Sequence, residues 1–318
     1  MNVAGFLNLD RPEHYDFREE IMAFRNSDDA VDRMMIYQAV GIGERREEYR
    51  DKWGFDQADR LYQDKKLKKE ILMAREEADN CPLLRELFQR QFPGKETSGD
   101  TLCSFSPTVN EIFKEKEGPA IFGGRRWGKV ATVGLYASQP DRVRAILNRC
   151  GAANYLKEAY TIGNFIPVPS GFQRRGIGPS KDYWDLALMC IYNHYAEKKG
   201  WPVKWPGYAL TWLLSGNAEA LRLCREWLDG YGSWGAFVEG SFLQDFVEQE
   251  GNGYGWPKEL WKGHFTGSVL PKEEEQFAEF FTNAAAWITA RGTRITGALA
   301  KSLRATEEPE RDAGEGSI

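Results

Sequence analysis

Histidine is scarce in this chain, with only His14, His194 and His264 among 318 residues, and no HExxH arrangement is present. The five cysteines form no CxxC pair, so a zinc site built on a short motif is not supported. Cys81, Cys103, Cys150, Cys190 and Cys224 are scattered and odd in number, which argues against a disulfide framework and for reduced core thiols. The absence of a GxSxG elbow leaves a serine hydrolase of that type without support. No apolar run reaches the ~18 residues that cross a bilayer. The first residues also lack the basic start and apolar core of a signal peptide. A cytoplasmic protein is the expectation.

Core material, by contrast, is ample. Hydrophobic residues make up 42% of the chain, and 11 Trp, 13 Tyr and 18 Phe provide for a large core. A length of 318 residues allows two domains at about 100–200 residues each, or one large unit. Composition divides the chain into a charged helical region (1–95), a main α+β unit (96–305) and an acidic tail (306–318) expected to be disordered.

Helical spacing dominates the pattern. Ser27 or Asp28 can cap a helix carrying Val31, Met34, Met35 and Ala39, and Gly41 would end it. A second helical region is expected over Glu44 to Ala78, a short helix over Cys81 to Phe92, and another starting at Ser106-Pro107. Pro119 to Phe122 and Val130 to Tyr136 read as two strands joined by a glycine- and arginine-rich turn, and Tyr160 to Val168 as a third. Further helices are expected over Trp205 to Leu214, Asn217 to Asp229, Ser233 to Val247 and Lys272 to Leu303. Leu186 to Ile191 is apolar on every face, so its helix should be enclosed by others. The expected fold class is mainly α (α+β): a bundle-like core around a buried central helix, with a small β element.

Charge singles out one region. Between Gly118 and Lys181 ten basic residues stand against Asp141 and Glu158, a net of +8 inside a chain of −5. Such a segment suggests an anionic partner; the ordinary alternative is pairing with neighbouring acidic helices. Arg125, Arg126 and Lys129 lie in the first turn and Arg174 and Arg175 in the loop before the central helix, all candidate phosphate contacts. Gly123, Gly128 and Lys129 match most of a P-loop, but Val130 stands where a hydroxyl is required and the following residues favour a strand.

Asp182 and Asp185 are three apart and point roughly the same way from the start of the central helix. Two carboxylates there can hold a magnesium ion, act as general acid and base, or bind ligand hydroxyls; equally, they can offset the helix dipole and pair with the arginine loop. Tyr183 and Trp184 between them are candidate ligand contacts. Asn164 suits recognition, since an amide both donates and accepts, or it holds the turn.

Asp100-Thr101 with Ser104-Phe105, Tyr160 to Phe165 with Pro167 and Pro169, Gly171-Phe172, and Asp182 to Leu186 together resemble a group of uncharacterised bacterial proteins with DT-x-x-SF, TIGNF-x-P-x-P and DYWDL elements. Phe242 to Phe246 and Ala290-Arg291-Gly292 are similar too, while Gln173 and Leu102-Cys103 depart from the pattern. The resemblance covers roughly the last two thirds of the chain. It implies a shared module, not a reaction, and adds Asp100 as a candidate acid. The favoured expectation is a phosphate-bearing ligand, a nucleotide or nucleic acid, bound in a basic cleft with acidic residues, where an enzyme acting on it is favoured over a pure binder. The alternatives are a non-catalytic interaction or regulatory protein, and a glycan-processing enzyme with paired carboxylates.

Overall fold

The protein is described by a computed structural model over residues 1–20, 29–43, 81–94, 98–117, 129–169, 172 and 182–307. Helices α1 (Val3–Leu7), α2 (Ala30–Gly43) and α3 (Pro82–Gln91) precede strand β1 (Ser98–Thr101). Helices α4 (Phe105–Glu117), α5 (Lys129–Ser138), α6 (Pro140–Arg149) and α7 (Ala152–Glu158) lead to β2 (Phe165–Val168). The central helix α8 (Trp184–Lys199) is followed by α9 (Leu210–Leu213), α10 (Ala218–Asp229) and α11 (Trp234–Gly240). A hairpin of β3 (Val247–Glu250) and β4 (Gly253–Pro257) and the long helix α12 (Glu274–Glu307) complete the described chain. The architecture is mainly α, with two small two-stranded sheets among the described residues, as the sequence pattern implied.

Local chemistry explains most boundaries. Helix α8 is buried along nearly its whole length. It ends at Gly200, whose φ of 68° favours glycine, and the N–H groups of Gly200 and Trp201 return to the carbonyls of Glu197 and Ala196. Asn217 and Ser233 cap α10 and α11 by accepting from the N–H groups of Ala220 and Ala236. Asp29, rather than Ser27 or Asp28, caps α2 through the N–H groups of Val31 and Asp32.

Several sequence expectations need correction. Val130 to Tyr136 is helix, not strand: Val133 and Tyr136 are buried, and α5 packs against α2, α4 and α6, with the Thr132 hydroxyl donating to Asn110 Oδ1 at 2.8 Å. A short apolar run fits either state, and here packing decides. Val130 still stands where a P-loop requires a hydroxyl. The strand expected from Tyr160 begins only at Phe165, after a 3-10 turn over Ile162–Asn164. Its antiparallel partner is β1, with Thr101 opposite Phe165 and Ser98 opposite Val168. Only Leu210–Leu213 is α-helical in the segment expected to run from Trp205, and the helix from Ser233 stops at Gly240. Residues 44–80, the 118–128 turn and the tail beyond Glu307 lie outside the described residues.

Two cores organise the molecule. The larger surrounds α8 and takes in Trp184, Trp234, Trp261 and Phe280. The smaller joins Phe6, Phe17, Leu84 and Phe88 to Ile162, Phe165, Ile295 and Leu299, so elements on both sides of residue 95 share it. Helix α12 serves both, and it crosses the Ile162–Asn164 turn so closely that a Cβ on Gly163 would lie 1.9 Å from the Ile288 carbonyl oxygen. Among the described residues no helix is long and apolar enough to cross a membrane.

Candidate functional site

The segments that carry the resemblance lie side by side. The chain from Asp100 to Ser104 runs between the Asn164 turn and Asp182–Trp184: Leu102 N–H donates to the Asn164 carbonyl at 2.8 Å, Trp184 N–H to the Leu102 carbonyl at 2.9 Å, and Ser104 N–H to the Asp182 carbonyl at 2.8 Å. Asn164 is fully buried. Its Oδ1 accepts from Cys103 N–H at 2.9 Å, and its Nδ2 donates to the carbonyls of Cys103 at 3.0 Å and Ala159 at 2.7 Å. All of its strong donors and acceptors face backbone, so it acts as a clamp. Tyr155 adds a hydroxyl bond to the Cys103 carbonyl.

The other candidates at this junction also have internal partners. Trp184 is buried, stacks on Phe172 at 5.3 Å, and donates its indole N–H to Asp100 Oδ2 at 3.2 Å. The buried Tyr183 hydroxyl shares a 2.8 Å hydrogen bond with Thr108, and burial pushes its pKa well up. Asp185 is 1% exposed. Its Oδ1 accepts from Leu186 N–H, and its Oδ2 from Leu260 N–H at 3.0 Å and His264 Nδ1 at 2.5 Å. His264 stacks on Trp261 with ring centres 3.6 Å apart. Asp182 is half-buried. Among the described residues there is no group of three or more His, Cys, Asp and Glu arranged to hold a metal ion.

Of the ten basic residues in the segment, Lys129, Arg142, Arg144, Arg149 and Lys157 are among the described residues. Arg125, Arg126, Arg174 and Arg175 lie outside the described residues, and Lys129 opens α5. Arg144 follows the ordinary alternative, reaching both Asp32 oxygens at 2.7 Å.

An open site lies elsewhere. A cavity of about 570 Å³ is bounded by residues 9–19, the start of α2 and the end of α7. Its wall carries Arg11, Arg18, Arg33 and Lys157 against Asp10, Asp16, Glu19 and Glu158. Arg18 is 1% exposed; it grips the Asp16 carboxylate and lies 4.6 Å from the centre of the Tyr160 ring. Arg33 reaches Glu19 at 2.6 Å.

His14 and Glu158 meet across this cavity, 144 positions apart in sequence. A guanidinium can only donate, so the bond from Arg11 to His14 Nε2 leaves the ring proton of neutral His14 on Nδ1, which donates to Glu158 Oε1 at 2.7 Å. The second oxygen, Glu158 Oε2, is buried and has no hydrogen-bond partner among the described residues. Burial raises the Glu158 pKa, although His14 and Arg11 pull it back.

That direction fixes a pH dependence. A carboxyl whose folded pKa exceeds its unfolded one contributes stability below the unfolded value and loses it as pH rises through the folded one. Glu158→Gln stays neutral, so its stability relative to wild type is expected to improve across that rise. Urea midpoints of both proteins from about pH 4 to about pH 8 check this; a constant difference would contradict it.

His14 and Glu158 were not among the sequence candidates. Neither belongs to a motif, and Glu158 stood out only as one of two acids in a basic segment. No curated protein and no solved structure matches this chain. Residues 130–295 match the model of a family described as a family of unknown function (DUF6994). That stretch includes Glu158, Asn164, Asp185, His264 and Arg291, but neither His14 nor Asp100. Since it spans just over half of the chain, the protein belongs to that family.

Proposed function

We propose that the protein binds a small phosphate-bearing molecule in the cavity between residues 9–19, α2 and α7, with Glu158 as the group placed to exchange a proton with it. The observation that carries this reading is the unpartnered, buried Glu158 Oε2 in a wall that also holds four cationic side chains. Burial of a carboxyl favours its neutral form, which weakens the acidic side of a wall where Arg11, Arg18, Arg33 and Lys157 face Asp10, Asp16, Glu19 and Glu158. A volume of about 570 Å³ falls in the range of small-molecule sites, which favours a nucleotide or other metabolite over a nucleic acid. Five free, buried cysteines fit a reducing compartment, and we place the protein in the cytoplasm.

Calorimetric titration of the full chain with inorganic phosphate and with adenosine monophosphate tests the reading. Binding is expected to weaken about tenfold, or ~1.4 kcal/mol, in each of Arg11→Ala and Lys157→Ala. Absence of binding by either phosphate compound at millimolar concentration would overturn it, and a preference for unphosphorylated sugars would favour a glycan-processing protein instead.

A further inference from the structure

A second cavity, of about 520 Å³, adjoins the first between α7 and α12, and both are lined by Lys157 and Glu158. The two walls differ in chemistry. The first is dense in charge. The second has no charged side chain apart from those two shared residues and presents the Asn154 amide, the Thr282 and Thr289 hydroxyls, and the small side chains of Ala285, Ala286 and Ala290.

Glu158 stands at the junction. It is 8% exposed, His14 bonds its Oε1 from the charged side, and its Oε2 remains buried and unpartnered. The Thr289 hydroxyl, on the neutral side, lies near enough to favour the charged form of Glu158 as a donor would, against the larger effect of burial, yet makes no hydrogen bond to Oε2. A buried carboxyl oxygen without a partner is unfavourable relative to a paired one, a cost that a ligand hydroxyl arriving there would offset.

We infer that the two cavities form one bipartite site for a phosphorylated sugar, with the phosphate among the cations and the hydroxyl-bearing carbon skeleton in the α7–α12 groove. The inference rests on the phosphate-binding reading above and names its ligand class. The groove's amide and hydroxyl groups exchange donors and acceptors with sugar hydroxyls, and its alanines leave room for the ring. The same chemistry is presented by a free sugar phosphate and by the ribose phosphate of a nucleotide.

The test compares inorganic phosphate, glucose 6-phosphate, ribose 5-phosphate and adenosine monophosphate on the full chain and on Ala286→Phe. Ala286 is an exposed position of α12 that lines the groove, so a ring there obstructs the second compartment without entering the core. In the wild type the sugar phosphates are expected to bind at least tenfold more tightly than phosphate. In Ala286→Phe that advantage should vanish while phosphate affinity stays the same. A nucleotide bound more tightly than ribose 5-phosphate would identify the nucleotide as the source; equal affinity would identify the free sugar phosphate. Wild-type protein that binds phosphate but gains nothing from the sugar overturns the bipartite site alone, as does an advantage that survives Ala286→Phe. No binding of any of the four overturns both readings.

Discussion

Replacing Arg291 by methionine is expected to destabilise the protein by about 3 kcal/mol or more, measured as the shift in its guanidinium unfolding curve. The side chain is fully buried, and no ion pair with it occurs among the described residues. Its guanidinium instead gathers carbonyls from two distant segments: Nε donates to Ser241 at 3.0 Å, and Nη1 to Gly163 at 2.8 Å and Phe165 at 2.6 Å. Burial lowers its pKa to about 9, which still leaves it charged at neutral pH. Methionine fills similar space but strands three buried carbonyls, each worth about 1–3 kcal/mol when left unpaired. Lysine keeps the charge without the planar fork and is expected to recover less than half of the loss. An Arg291→Met protein of wild-type stability would show that these carbonyls have other partners.

Asp185→Ala is expected to cost about 3–5 kcal/mol, the range seen when one member of a buried hydrogen-bonded pair is removed. The carboxylate ties the first turn of α8 to the segment carrying Leu260 and His264. Its loss leaves the Leu260 N–H and the His264 ring without their acceptor in the larger core. Asp185→Asn keeps one oxygen and should lose less, since that oxygen in the place of Oδ2 can still accept from both Leu260 and His264 while the amide faces the Leu186 N–H. The comparison is again by denaturant unfolding, and an alanine variant within about 1 kcal/mol of wild type would show that the pair does not hold the core together.

These two residues show what sequence reading reaches and what it does not. The central helix was legible because an all-round apolar run has one solution, burial. The helix at Val130–Tyr136 was not, because β-branched residues in a short apolar run suit strand and helix alike until neighbours fix the choice. Strand β1 reads Ser-Gly-Asp-Thr and has little strand propensity of its own; pairing with β2, 64 positions on for Thr101 with Phe165 and 70 for Ser98 with Val168, gives it its form. Asn164 and Arg291 stood out in the sequence as residues of an unusual motif, yet their chemistry serves backbone. The Asp185–His264 and His14–Glu158 pairs lie 79 and 144 positions apart, distances at which no spacing rule operates.

The double service of α12 has a consequence for how the protein is made. Synthesis delivers the N-terminus first, so Phe6, Phe17 and Phe88 emerge long before Ile295 and Leu299, the residues that complete their core. Until α12 leaves the ribosome, that earlier part of the chain carries apolar surface that α12 helps to cover. The smaller core therefore closes only after α12 has been made, and the N-terminal wall of the proposed binding cavity takes its final support from that helix.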